Sequence, residues 1–250
     1  MTKVLITGGS EGIGYEFAKI YAAQGASLFL CARDMVKLHE ARGALQNVYH
    51  RPVKIISCDL SLPGAAQKLF DEVKDENIDI LINCAGFGFT GESWKIDVEQ
   101  EEKMVMVNDA SLMSLCKLFA SQMRQRKSGV ILNAASTGGF FPGPYIAGYY
   151  ASKAFVISYT KAIAKELKAS GVRVYCLCPG PVATAFYHKE GLKIPRGAMR
   201  ADQCAAYAME HMKKNVMIIP GFVNRLCTIL PASWRTAFIA RQKKKILDRA

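Results

Sequence analysis

The order of apolar runs in this 250-residue chain predicts a single doubly wound α/β domain. It would be a seven-stranded parallel sheet with helices on both faces and a basic, helical C-terminal extension. Three observations point there. The candidate strands are near-continuous apolar runs, as in a sheet buried on both sides. Segments of helical periodicity alternate with them. The residues able to do chemistry fall just after strands, where the ligand crevice of such a sheet opens.

Taken in order, residues 3–7 form a short apolar strand. Residues 12–24 follow with helical spacing at Ile13, Phe17, Ile20 and Tyr21. A strand at 27–32 leads into a helix over 34–47, and 53–58 is the third strand. Pro63 stands near the first helical position of the helix after it, where a missing N–H costs nothing. The fourth strand is 79–83, a long helix spans 100–126, and 129–135 is the fifth strand. Residues 146–169 are helical, 172–178 is the sixth strand and 216–219 the seventh. Residues 221–249 fall outside the alternation. Phe222, Leu226, Ile229 and Leu230 suit one helix face, and Pro231 breaks before a second, basic helix. Residues 1–220 then carry the binding and catalytic machinery, and 221–250 extend the same domain, packing on the body or a partner subunit.

Half of the residues are hydrophobic, ample for a core, and no Pro-rich, Ser-rich or repetitive stretch marks a linker. Eight cysteines are scattered without CxxC pairs, which reads as buried thiols in a reducing compartment. The four histidines form no metal spacing, so no metal site is expected. A first strand beginning at Lys3 leaves no room for a leader, and no apolar run approaches the roughly 20 residues that span a bilayer. The expectation is a cytoplasmic protein. The net charge of +12 is concentrated at the end: from Lys189 onward thirteen basic residues face four acids. A solvated basic face is the plain reading. An anionic substrate, an acidic carrier protein or an anionic membrane surface is the alternative, and nucleic acid is not expected.

The first chemical motif is a glycine turn, Gly8-Gly9-Ser10-Glu11-Gly12-Ile13-Gly14, between a strand and a helix. Glycines there let backbone approach a pyrophosphate, and the helix N-terminus offers free N–H groups to it. Gly8, Ser10, Glu11, Gly12, Ile13 and Gly14 are therefore candidate dinucleotide contacts. Asp59, with Leu60 beside it, stands where a carboxylate can accept from an adenine amino group. Asn83, Ala85 and Gly86 form a small-residue turn after the fourth strand, suited to lie against a ribose. The second strand ends in Ala32-Arg33. An acid there would bind a ribose 2′-hydroxyl, whereas an arginine fork suits a 2′-phosphate, so NADP(H) is favoured over NAD(H).

The second motif is Tyr149 with Lys153 four residues on, one helical turn away on the same face. A lysine cation favours tyrosinate, drawing a phenol from its usual pKa of about 10 toward neutrality. Tyr150 has Ala154 at the same spacing and is a decoy.

Together with Ser136 and Pro179-Gly180-Pro181-Val182-Ala183-Thr184, these motifs resemble the short-chain dehydrogenase/reductase family over about residues 3–220. The resemblance implies a Rossmann-type sheet of order 3-2-1-4-5-6-7. It also implies hydride exchange between NADPH and a carbonyl carbon, with Tyr149 giving the proton to the oxygen and Ser136 orienting that oxygen. Lys153 would lower the Tyr149 pKa and bind the nicotinamide ribose. Asn108 would hold a water linking Lys153 to solvent, although Asp-Ala-Ser follows it where the family usually has Val-x-Gly. Pro179, Gly180, Val182 and Thr184 would lie by the nicotinamide and phosphates. A homodimer or homotetramer is implied as well.

Loops after the fourth, fifth and sixth strands carry Phe87, Phe89, Trp94, Phe140, Phe141, Tyr145, Phe186 and Tyr187. Such a lining suits a bulky hydrophobic ketone and secondary alcohol, of hydroxysteroid or 3-ketoacyl type. Two other classes remain: a non-catalytic nucleotide-binding sensor or scaffold, and an isomerase that retains its cofactor.

Overall fold

The computed structural model describes residues 1–189, 193–212 and 214–248. Seven parallel strands form the main sheet: β1 (Lys3–Thr7), β2 (Ser27–Ala32), β3 (Val53–Ser57), β4 (Ile80–Asn83), β5 (Gly129–Ala134), β6 (Val172–Leu177) and β9 (Met217–Ile218). Their order is 3-2-1-4-5-6-9. The expected seventh strand is thus in place. It takes a higher number because β7 (Val182–Ala183) and β8 (Met199–Arg200) pair separately in a two-stranded ribbon.

Strand alternation explains why both faces are apolar. Leu5, Phe29, Ile56, Leu81, Ile131 and Val174 enter one core, with Leu69 of α3 (Ala65–Val73), Phe119 of α5 (Leu112–Gln125) and Val156 of α6 (Ala147–Leu167). Their neighbours Val4, Ile6, Leu28, Leu30, Ile82 and Leu132 enter the other. There they meet Phe17 of α1 (Gly12–Ala23), Leu38 of α2 (Met35–Tyr49) and Ala205 of α8 (Ala201–His211). A period of two with both sets apolar forces helices onto both sides. Five of the eight cysteines are buried and three half-buried, all as free thiols.

Two local expectations are corrected. Pro63 is not at the start of α3, whose N-cap is Gly64 in a left-handed conformation, φ 76°. The long helix is not continuous: α4 (Val98–Val105) passes through a π turn, Met106–Ser111, into α5. Such a turn inserts one residue and is common at functional sites.

The C-terminal segment forms α9 (Phe222–Ile229) and α10 (Ala232–Leu247). They lie across the loops after β4, β5 and β6. Thr236 Oγ1 donates to the Pro142 carbonyl at 3.3 Å, and Lys243 Nζ donates to Thr90 Oγ1 at 3.1 Å. No helix among the described residues is long and apolar enough to cross a membrane.

Candidate active site

The chain leaves β1, runs outward to β3 and returns to β4 on the other side of β1. That reversal opens a crevice at the carboxyl ends of β1 and β4. It widens into a cleft of about 1690 Å³, well beyond the roughly 300–1,000 Å³ of a single small-molecule site. There is room for a dinucleotide and a second molecule.

The glycine turn forms one wall. Gly8 has φ 65°, and a Cβ on it would stand 2.9 Å from the Ala85 nitrogen. The β1 and β4 turns therefore approach as closely as backbone permits, and Thr7 Oγ1 accepts from the Ala85 N–H at 3.2 Å. A Cβ on Gly14 would collide with the Gly8 carbonyl. The start of α1 has neither a capping side chain nor an acid in its first turn. Its N–H groups are left for an anion, so the turn fits a pyrophosphate. Thr184 faces it, its Cγ2 3.3 Å from where a Gly12 Cβ would be.

Gly8, Ser10, Glu11, Gly12, Ile13, Gly14, Arg33, Leu60, Ala85, Gly86, Pro179, Gly180, Val182 and Thr184 all line the cleft. Arg33 is exposed at its rim, 5.7 Å from the Phe87 ring centroid. Two expected contacts are not on the wall. Asn83 is buried between β4 and β5, donating to Asn133 Oδ1 at 2.9 Å. Its strand register directs it into the sheet face. Asp59 turns onto Ser61, accepting from its N–H at 3.0 Å and its hydroxyl at 2.7 Å. Burial raises the Asp59 pKa, but these two bonds, with the charges of Arg33 and Lys103, outweigh it and hold the carboxyl below its usual value. A further cation, Lys37 in the first turn of α2, lines the cleft beside Arg33 and pairs with Glu11 at 2.7 Å. Its place four residues after Arg33 was the available sequence signal.

Ser136, Tyr149 and Lys153 line the same cleft. Ser136 follows β5, and its Oγ accepts from the Gly138 N–H at 3.1 Å. That leaves the hydroxyl proton to donate into the cleft. Lys153 is 4% exposed, with Nζ 3.0 Å from the Ala134 carbonyl and 5.6 Å from the Tyr149 ring centroid. Burial lowers its pKa, against the pull of Asp109. Gly88 packs so closely on Tyr149 that a Cβ there would stand 2.7 Å from the ring. The phenol is thereby clamped between the β4 loop and Phe186, whose ring centroid is 5.3 Å away.

Asn108 is fully buried and does not line the cleft. Its side chain accepts from the Phe87 N–H at 3.2 Å and donates to the Phe87 carbonyl and Ser152 Oγ at 2.9 and 3.0 Å. It braces the β4 loop against α6 from within the π turn.

Asp109, next in that turn, has a buried Oδ1 without a partner among the described residues. Burial raises its pKa to about 7, with Lys153 pulling the other way. Because the folded value lies above that of an unfolded aspartate, about 3.9, its stabilising contribution is present at pH 4. It is lost as pH rises through 7. Asp109→Asn removes this dependence. The melting temperature of the variant relative to wild type is expected to be higher at pH 8 than at pH 5, and an offset unaffected by pH would contradict the assignment.

Of the aromatic residues, Phe87, Phe89, Phe141, Phe186 and Tyr187 line the cleft. Phe140 instead packs against the core. Tyr145 is absent from the wall: its backbone has φ 64° and its carbonyl accepts from the Gly91 N–H at 2.8 Å. Trp94 is 76% exposed and also off the wall. Tyr150 is no catalytic partner of a lysine at the expected spacing, yet its ring forms part of the wall, edge-on to Phe141 at 5.6 Å. α9 and α10 also reach the cleft, where Asn224, Trp234, Arg235 and Phe238 join its lining.

A family model described as short chain dehydrogenase matches residues 2–194. A very-long-chain 3-oxoacyl-CoA reductase of Anas platyrhynchos is 31% identical over 72% of this chain, a match that spans only 59% of the reductase's length. Among solved structures, a short-chain dehydrogenase from Sphingobium yanoikuyae in complex with NADPH superposes with a TM-score of 0.86. It is 29% identical, with 97% of this chain and 94% of that one covered. The bulky-bulky ketone specific alcohol dehydrogenase from Comamonas testosteroni gives 0.81 at 26% identity, covering 97% and 92%.

Proposed function

Since the chain belongs to the short-chain dehydrogenase/reductase family, we propose that it is an NADP(H)-dependent oxidoreductase interconverting a bulky hydrophobic ketone and its secondary alcohol. The observation that carries this reading is that Ser136, Tyr149 and Lys153 line the same cleft as the glycine turn, with Lys153 Nζ between the Tyr149 ring and the end of β5 that leads to Ser136. The NADPH-bound Sphingobium relative and the ketone-specific Comamonas enzyme support the same chemistry.

Gly8, Gly12, Gly14 and the start of α1 would hold the pyrophosphate, and Arg33 with Lys37 the 2′-phosphate. The bound cofactor supplies the hydride. Tyr149 delivers a proton to the carbonyl oxygen, with Ser136 donating a hydrogen bond to the same atom as charge develops on it. Lys153, a cation beside that ring, holds the phenol nearer its ionised form and has donors for the ribose hydroxyls. Burial lowers its own pKa, and Asp109 pulls the other way.

Phe87, Phe89, Phe141, Phe186 and Tyr187 supply the apolar body of the substrate site. Val98, Val105 and Phe155 remain exposed on α4 and α6, which supports association between copies through that face.

The test of substrate class is NADPH oxidation by the purified protein with two sets, ring ketones such as steroids and 3-ketoacyl thioesters. We expect turnover of at least one set, with clear preference for NADPH over NADH. Turnover of neither, with NADPH bound, would favour the sensor reading.

A further inference from the structure

α10 places a guanidinium over the substrate end of the cleft. The Arg235 central carbon lies over the Phe141 ring, 4.5 Å from its centroid. Phe141 is edge-on to Tyr150 at 5.6 Å, and Tyr150 meets Tyr149 at 6.2 Å. A continuous aromatic wall therefore runs from the phenol that meets the carbonyl to a cation at the far end. The position of Arg235 is held by its neighbour, through the Thr236 bond to the Pro142 carbonyl.

The guanidinium is always charged and carries five N–H donors. Its Nε and Nη1 are buried and have no hydrogen-bond partner among the described residues. The cation–π contact with Phe141 accounts for the position of the charge but gives these N–H donors no acceptor. A buried, charged donor without an acceptor is costly, and native structures leave few of them, so these two N–H groups call for an acceptor.

The charges around the cleft are sorted. The acids on its wall, Glu11 and Asp34, both belong to the glycine-turn end, where Glu11 is paired with Lys37. At the far end α10 itself brings two cations to the wall, Arg235 and Lys243. A neutral steroid-like or alkyl ketone would have no use for this arrangement.

We infer that Arg235 is a specificity-determining residue that receives an oxyanion, a carboxylate or phosphate, carried by the substrate at the end remote from its reacting carbonyl. This rests on the assignment of Ser136, Tyr149 and Lys153 as the reacting centre. The substrate is then an apolar body with a ketone at one end and an anionic group at the other. Phe141 and Tyr150 flank the body, and Arg235 fixes which end enters.

The test uses matched substrates on the full-length protein. One pair is a ring ketone bearing a side-chain carboxylate and its methyl ester. A second pair is a 3-oxoacyl thioester of coenzyme A, which brings phosphates, and of N-acetylcysteamine, which does not. With wild type, the anionic member of at least one pair should have the lower KM, and which pair responds identifies carboxylate or phosphate. Arg235→Gln should raise that KM about 10- to 100-fold, leaving the neutral partner within about twofold and kcat unchanged. Arg235→Lys, which keeps charge without the planar fork, should fall between. Equal KM values within both pairs for wild type would overturn the inference. So would an equal loss on neutral and anionic substrates in Arg235→Gln, which would mean the residue only anchors α10. Turnover of no substrate at all would instead count against the oxidoreductase reading.

Discussion

Tyr149→Phe is expected to lower kcat by about 10²- to 10⁴-fold, the range for losing a positioned general acid. This corresponds to roughly 3–5 kcal/mol of barrier. The substitution removes one oxygen and leaves the ring that Gly88 and Phe186 clamp. The fold and NADPH affinity should therefore change little, within about twofold by fluorescence titration. Turnover within a few-fold of wild type would exclude the tyrosine as proton donor. Loss of both turnover and cofactor binding would point to a structural defect, to be checked against the melting temperature.

The second large effect is on the cofactor. Arg33→Asp should raise the KM for NADPH by about 100-fold, because it removes a charge-assisted contact worth about 1.5–3 kcal/mol and adds repulsion to a 2′-phosphate. NADH, with a hydroxyl in that place, should be far less affected or improved. Lys37→Gln should act in the same direction but more weakly, since Lys37 is shared with Glu11. Equal losses for both cofactors in Arg33→Asp would place the arginine outside the 2′ site.

Most of the fold was legible because the strands are buried on both faces. Val4-Leu5-Ile6 and Ile80-Leu81-Ile82 have no polar face to offer water, and helices between them follow. The glycine turn was legible for a related reason: only glycine tolerates the approach of the Ala85 nitrogen to Gly8. Motifs set by local backbone geometry leave their mark on residue type.

What the sequence left open depends on direction and on distant contacts. Asn83 sits in a turn of the right composition, but its strand register sends it toward Asn133 and away from the cleft. Phe140 and Phe141 are adjacent aromatics of equal promise, yet one packs against the core and the other on the cleft wall. The π turn at Met106–Ser111 has no periodicity signal over so short a span. Arg235 meets Phe141, 94 residues earlier, only because α10 crosses the β5 loop. No pattern within either segment announces that meeting.

The central claim is that Tyr149, Ser136 and Lys153 serve a hydride transfer between cofactor and ketone. Its most direct test is to incubate the protein with NADPH deuterated at the transferable C4 position and a ketone it turns over, then locate the label by mass spectrometry. The expected result is one deuterium on the carbinol carbon of the alcohol, one per NADPH oxidised, and labelled product reduced about 100-fold or more with Tyr149→Phe over the same time. Alcohol formed without the label, or product formed without net NADPH oxidation, would contradict it and favour a cofactor-retaining isomerase.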